Sequence, residues 1–179
     1  MMRIKSLTIY CSSSKNLESD FYNLANDLGV FLANKSIKII YGGGNVGMMG
    51  ALSNSAISAG GEVEGIIPEF LINIENKNEK ITKTLIVDNM SERKKKLFEL
   101  GDAFLILPGG SGTIEEATEV ISWKVLELHN KDIIIFNYKN YWEHLINLYN
   151  QSLEKNFSNK NFHDICLSIN TLNEFKKIF

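Results

Sequence analysis

Two consecutive acids, Glu115 and Glu116, follow directly on Pro108-Gly109-Gly110-Ser111-Gly112-Thr113-Ile114, and that order joins a flexible turn to a pair of carboxylates. The apolar run Ala103 to Leu107 has strand length and stops at Pro108. Three glycines within four residues then let the backbone turn with its amides exposed, and Thr113 opens an amphipathic helix. The first amides of a helix lack intrahelical partners and carry the positive end of its dipole, so a phosphate is held there without lysine or arginine. A plainer reading competes, because Thr113 and Glu116 have the T-x-x-E spacing of a capping box, in which the glutamate only satisfies a backbone amide. That explains Glu116 but leaves the glycine run before it without a purpose.

Arg93 is the next residue of interest. It stands in the first turn of a helix that Ser91 is expected to cap, immediately after a strand end, so its side chain can reach the same edge as the glycine turn. A cation there opposes the helix dipole, and an anionic ligand would motivate it. Lys95 and Lys96 read as a solvated helix face. Gly42 to Gly47 matches the dinucleotide fingerprint G-x-G-x-x-G, with Glu62 roughly 20 residues on as a ribose ligand, although it follows the second strand and not the first. His129, His144 and His163 have no ligand spacing, and Cys11 and Cys166 sit in apolar runs as reduced core thiols. No metal site and no cofactor are indicated.

The elements that must position these residues can be read from periodicity. Apolar runs at Ser6–Cys11, Ile37–Tyr41, Val63–Ile67, Thr84–Asp88, Ala103–Leu107, Ile133–Asn137 and Ile165–Ile169 predict seven strands. Helical patterns follow them at Phe21–Leu32, Met48–Ala59, Met90–Leu100, Thr113 to about Leu128, and Tyr141–Leu153, with Thr171 to Glu174 as a capping box for a short terminal helix. Glu69 to Lys80 reads as a long polar loop of functional type. Unbroken apolar strands alternating with helices predict an α/β fold, a doubly wound, Rossmann-like parallel sheet with helices on both faces, as one domain over residues 1–179. Ligands of such sheets bind beyond the carboxyl ends of the strands, where Ser12–Ser14, Gly42–Gly47, Glu69–Arg93 and Pro108–Glu116 gather.

The 179 residues carry a formal net charge of -2 with scattered lysines, which excludes the electrostatic footprint of a nucleic-acid binder. Met1-Met2-Arg3-Ile4-Lys5 runs straight into the first strand without a signal-peptide core, and no apolar run approaches a membrane span. A cytoplasmic, soluble protein with no membrane partner is expected.

Pro108-Gly109-Gly110-Ser111-Gly112-Thr113-Ile114-Glu115-Glu116 resembles the PGGxGTxxE signature of the LOG family, the cytokinin riboside 5'-monophosphate phosphoribohydrolases long misnamed lysine decarboxylases. Cys11–Ser14, Tyr41–Gly44 with Gly47–Gly50, Gly60-Gly61 with Ile66–Pro68, and Met90–Lys94 resemble family segments in the same order, so the likeness spans nearly the whole chain. The resemblance implies hydrolysis of the N-glycosidic bond of a nucleoside 5'-monophosphate, such as isopentenyl-AMP or AMP, to free base and ribose 5-phosphate, by a homodimer in cytokinin biosynthesis. It implies Arg93 and Glu116 as the catalytic pair. It further implies that Gly109, Gly110, Ser111, Gly112, Thr113, Ile114 and Glu115 hold phosphate and sugar, that Lys94 assists Arg93, that Glu75 contacts substrate, and that Ser122 takes the place of a family threonine. Ser12, Ser91 and Ser111 depart from the family's usual glycine, histidine, and aromatic or threonine; the changes at Ser91 and Ser111 make plain AMP or another nucleotide a candidate in place of an isopentenylated one. Such cleavage passes through an oxocarbenium-like state that a carboxylate stabilises. Decarboxylation of lysine would instead need pyridoxal phosphate on a lysine in a pocket motif, and none is present. The other implied reading is a nucleotide-binding module, similar to the related molybdenum-cofactor carriers, that binds without turnover.

Overall fold

The computed structural model describes residues 4–179; Met1 to Arg3, expected to lead straight into the first strand, lie outside the described residues. Seven strands form one parallel sheet: β1 (Ser6–Tyr10), β2 (Lys38–Tyr41), β3 (Val63–Pro68), β4 (Lys83–Val87), β5 (Ala103–Ile106), β6 (Ile133–Phe136) and β7 (Leu167–Ile169). Their order is β4-β3-β2-β1-β5-β6-β7. The chain winds outward from β1 to β4, returns to the centre for β5, and winds the other way. Connections on the two sides of β1 and β5 diverge, which leaves a crevice at their carboxyl ends.

The helices are α1 (Ser19–Asn34), α2 (Gly47–Ser58), α3 (Met90–Leu100), α4 (Ser111–Val125), α5 (Glu143–Glu154), α6 (Phe162–Ile165) and α7 (Leu172–Lys176). Successive strand residues point to opposite faces, so β1, β2, β3, β5 and β6 each feed two cores, and the edge strands β4 and β7 one each. Ala103 and Leu105 pack with Leu24, Leu28, Leu52 and Phe175 of α1, α2 and α7. Phe104 and Ile106 pack with Leu97, Val120, Ile146 and Phe162 of α3, α4, α5 and α6. The doubly wound reading of the sequence holds. His129 is a core residue, its ring nitrogen 2.9 Å from the Val120 carbonyl, and both cysteines are buried and free.

Several boundaries depart from the sequence expectation, each for a local reason. Asn89, not Ser91, caps α3: its side chain accepts from the Glu92 amide at 2.9 Å, and the Glu92 carboxylate accepts from the Asp88 amide at 3.1 Å. The strand expected over Ile165–Ile169 is shorter, because Asn161 accepts from the His163 amide and starts α6. Tyr138–Asn140 forms a 3-10 turn in which Lys139 takes a left-handed conformation (φ 54), so α5 begins at Glu143 and not at Tyr141. The terminal capping box is present but staggered: Thr171 accepts from the Glu174 amide, while the Glu174 carboxylate accepts from the amide of Asn170. No helix is long and apolar enough to cross a membrane among the described residues.

Candidate active site

Arg93 is buried, only 5% exposed, although it lies one turn into a polar helix. Two acceptors hold it: the Gly42 carbonyl at 3.0 Å and the Glu75 carboxylate at 3.2 Å, both from one terminal nitrogen. The other terminal nitrogen has only the Met90 sulfur, 3.9 Å away. The sequence at Gly42 makes this seat possible, since a Cβ there would fall 2.2 Å from the Arg93 guanidinium. A buried cation without anionic company is costly, and the half-buried Glu75 supplies it.

Glu75 reaches Arg93 because the long loop is stapled to the β2–α2 turn. The Asn45 amide donates to the carbonyls of Glu75 and Asn76 at 3.1 and 2.9 Å, and the Asn78 amide donates to the Gly43 carbonyl at 3.0 Å. Buried Asn78 continues the staple through its side chain to Ser53 and Asn54 of α2. The expected irregular loop therefore has fixed structure, including a 3-10 turn at Glu69–Leu71.

This arrangement also settles the dinucleotide reading of Gly42–Gly47. The start of α2 is closed by protein: the Ser12 carbonyl accepts from the amides of Met48 and Met49 at 2.9 and 3.3 Å. Gly47 takes φ +60, and a Cβ on it would meet the Ser12 and Ser14 carbonyl oxygens at 2.8 and 2.6 Å. Glu62, the expected ribose ligand, is paired with Lys38 at 3.0 Å. The glycines serve close packing of two loops and the seat of Arg93, and the Ser12 carbonyl takes two of the first amides of α2 from any pyrophosphate.

The helix after β5 differs in each of these respects. α4 begins at Ser111 with Gly110 as N-cap and no side-chain cap, two residues earlier than expected. Thr113 is thus the third helical residue, and Glu116 lies in the second turn, out of capping-box position; the capping explanation of Glu116 falls. The amides of Ser111, Gly112 and Thr113 have no acceptor among the described residues, the first turn closing at the Ile114 amide on the Gly110 carbonyl (3.0 Å). A Cβ on Gly110 or Gly112 would meet nothing within 4 Å, so packing within the protein does not require glycine at either place. Tyr141 fixes the base of the turn by donating to the Gly109 carbonyl at 2.7 Å.

These groups share a cavity of about 500 Å³ between the ends of β1, β2 and β5. Arg93 is its one basic residue among the described lining residues, and no lysine lines it, so the cavity holds no amine on which pyridoxal phosphate could be carried. Burial pushes the Glu116 carboxyl up from 4.5 to about 7; Arg93 pulls it down, and Glu115, Glu75 and Glu119 raise it further. Burial and the same Glu116 charge push the Tyr10 hydroxyl and Cys11 thiol upward, so both stay protonated. Among the described residues no group of three His, Cys, Asp or Glu side chains converges to hold a metal ion.

Of the residues singled out from the sequence, Arg93, Glu116, Glu75, Gly110, Ser111, Gly112, Thr113 and Glu115 line this cavity. Gly109 is buried and does not line it. Ile114 points to solvent. Lys94 is turned away and held between Glu115 (2.5 Å) and Glu119 (2.9 Å), and Ser122 is exposed on a separate groove between α4 and α5. Tyr10, Met49, Phe70, Leu71 and Met90 also line the cavity and were not singled out as site residues, because an apolar side chain in a strand, helix or loop reads as core.

A family model described as "possible lysine decarboxylase" matches residues 49–178. A cytokinin riboside 5'-monophosphate phosphoribohydrolase of Arabidopsis thaliana is 34% identical over 175 residues, covering 98% of this chain and 81% of the relative. One from Rhodococcoides fascians is 40% identical over 143 residues, 79% of this chain and 72% of the relative. Among solved structures, the molybdenum cofactor carrier protein of Chlamydomonas reinhardtii has the same fold, with a TM-score of 0.73 at 14% identity, covering 98% of this chain and 96% of that one.

Proposed function

The chain belongs to the LOG family, the cytokinin riboside 5'-monophosphate phosphoribohydrolases, and is an enzyme of the glycosidase type; from that premise we propose that it hydrolyses the N-glycosidic bond of AMP or an N6-substituted AMP. One observation carries the reading at this site: a carboxyl group raised to about 7 shares a cavity with an uncapped helix start and a buried arginine. The amides of Ser111, Gly112 and Thr113 receive the phosphate, whose binding energy positions the bond to be cut. Glu116 lies beyond them beneath the ribose. As a carboxylate it stabilises positive charge at the anomeric carbon and takes a proton from the attacking water. The carbon–nitrogen bond breaks, oxygen from water replaces the base, and the base leaves with the bonding pair and a proton.

Arg93 is anchored at the end of β2, two strand positions from β5 or roughly 10 Å at the usual strand spacing, which favours a role toward the departing base over one at the phosphate. Lys94 then acts indirectly, by restraining Glu115 and Glu119. The two buried free cysteines accord with a reducing, cytoplasmic setting. A homodimer is supported by the apolar side chains left in water around α4 and α5, Leu126, Leu148 and Phe157, the last 85% exposed.

Chromatographic measurement of base and ribose 5-phosphate across a panel of nucleoside monophosphates tests the proposal. Equimolar release of both products that Glu116→Gln abolishes is the expected result. Saturable nucleotide binding without release would favour a carrier like the fold neighbours.

A further inference from the structure

Phe70 is 57% exposed, yet it lines the cavity. It belongs to neither hydrophobic core and pairs with no other ring among the described residues. Its surroundings are not loose: the 3-10 turn that presents it is continued by the Glu75 amide donating to the Leu71 carbonyl at 2.8 Å, and the loop beyond is bonded to Asn45 and Gly43. A large aromatic ring held over a cavity by a fixed loop, and left wet there, gains from a flat apolar ligand what it does not gain from the fold.

Its place in the sheet says which part of a ligand it would meet. The loop leaves β3, three strand positions from β5 in the order β3-β2-β1-β5, or about 14 Å at the usual strand spacing. The anion site is at the β5 end, Glu116 follows it, and Arg93 is seated at the end of β2. A nucleotide with its phosphate at the start of α4 thus runs past Glu116 and Arg93 and presents its base to the far wall. That wall is apolar, made by Phe70, Leu71, Met49 and Met90.

The geometry points to Phe70 as the residue on which the purine base stacks. The inference rests on the nucleotide reading of the cavity and adds to it a determinant of base affinity. Stacking engages the π-face that every base has, so Phe70 tolerates substituents at the purine N6 position and gives affinity with little choice between AMP and isopentenyl-AMP.

The experiment compares wild type with Phe70→Ala, Phe70→Trp and Ile74→Ala, the last removing an apolar side chain that is 70% exposed on the same loop and outside the cavity lining. For each, AMP binding is measured by calorimetry, AMP hydrolysis by base release, and ribose 5-phosphate by competitive inhibition. Phe70→Ala is expected to weaken AMP binding and raise KM by roughly tenfold or more with kcat within about twofold, as loss of uniform binding does. Inhibition by ribose 5-phosphate, which has no base, stays unchanged. Phe70→Trp restores AMP affinity and Ile74→Ala matches wild type. AMP binding by Phe70→Ala as tight as wild type, or an equal loss of ribose 5-phosphate binding, overturns the stacking role. A wild type that binds AMP but releases no base overturns the hydrolase reading instead and leaves the calorimetric test of Phe70 intact.

Discussion

Glu116→Gln is expected to abolish base release and, at the same time, to make the protein more stable above pH 7. The carboxyl of Glu116 goes from 4.5 to about 7 on folding because its surroundings remove water and place Glu115, Glu75 and Glu119 nearby, against the opposing pull of Arg93. An acid raised in this way keeps its proton in the folded protein at pH values where the unfolded chain has lost it. The folded state binds more protons through that window, so stability falls as pH rises from about 4.5 to about 7 and stays reduced above it. A change from 4.5 to about 7 corresponds to about 3 kcal/mol at 1.36 kcal/mol per pH unit. Residual solvent contact of the carboxylate brings the expected gain to about 1–3 kcal/mol, or a rise in Tm of roughly 3–10 °C for a chain of this length. At pH 5 only about a quarter of the gain remains, since most of the titration window lies above that pH. Thermal unfolding of wild type and variant at pH 5 and pH 8, in one ionic strength, reads the difference directly and cancels the titration of groups not coupled to Glu116. A variant whose Tm advantage is the same at both pH values, or negative at pH 8, refutes the account of Glu116 as a carboxylate held in the cavity at a cost to the fold.

Three further outcomes follow from the packing. Gly42→Ala forces a methyl to within 2.2 Å of the Arg93 guanidinium and is expected to lower kcat/KM for AMP by about a hundredfold or more while circular dichroism stays native. Gly112→Ala meets no neighbour in the first turn of α4, so it should raise stability by about 0.5–1 kcal/mol through the better helix propensity of alanine, read as a higher Tm, and yet raise KM for phosphorylated substrate. Leu148→Glu puts a charge into the exposed apolar face of α5 and, on the proposed homodimer, is expected to shift sedimentation from twice the 20.2 kDa chain mass to the monomer, whereas a wild type that sediments as a monomer refutes that proposal.

Much of the fold was legible because each strand is an apolar run and each glycine or proline that ends one is local in sequence. The glycine turn before α4 was legible for the same reason. Arg93 was conspicuous as a cation in the wrong part of a helix dipole, but its seat was not, since the Gly42 carbonyl lies 51 residues away and Glu75 lies 18 away. Caps were misjudged by two or three residues, at Asn89 and at Gly110, where several competent residues stand side by side and tertiary geometry chooses. Lys94 and Ser122 illustrate a different gap: a motif gives a position, while the rotation of α3 and α4 decides which side of the helix faces the cavity. Phe70 was invisible because an exposed aromatic in a polar loop has no periodic partner.

The two glycine-rich turns look alike in sequence and do opposite things, and the difference lies in who takes the amides. At α2 the Ser12 carbonyl consumes those of Met48 and Met49, and Gly47 brings the chains close enough to do so. At α4 no acceptor among the described residues reaches the amides of Ser111, Gly112 or Thr113, and Gly110 and Gly112 fill no contact, while Gly109 is packed against Thr113. A glycine N-cap forgoes only a few tenths of a kcal/mol against serine or aspartate, and it leaves the first amides of α4 open to an anion. Titrating the protein with inorganic phosphate and following amide resonances should therefore move Ser111, Gly112 and Thr113 and leave Met48 and Met49 in place. Movement of the α2 amides alone would reverse the assignment of the two loops and return Gly42–Gly47 to the position of phosphate cradle.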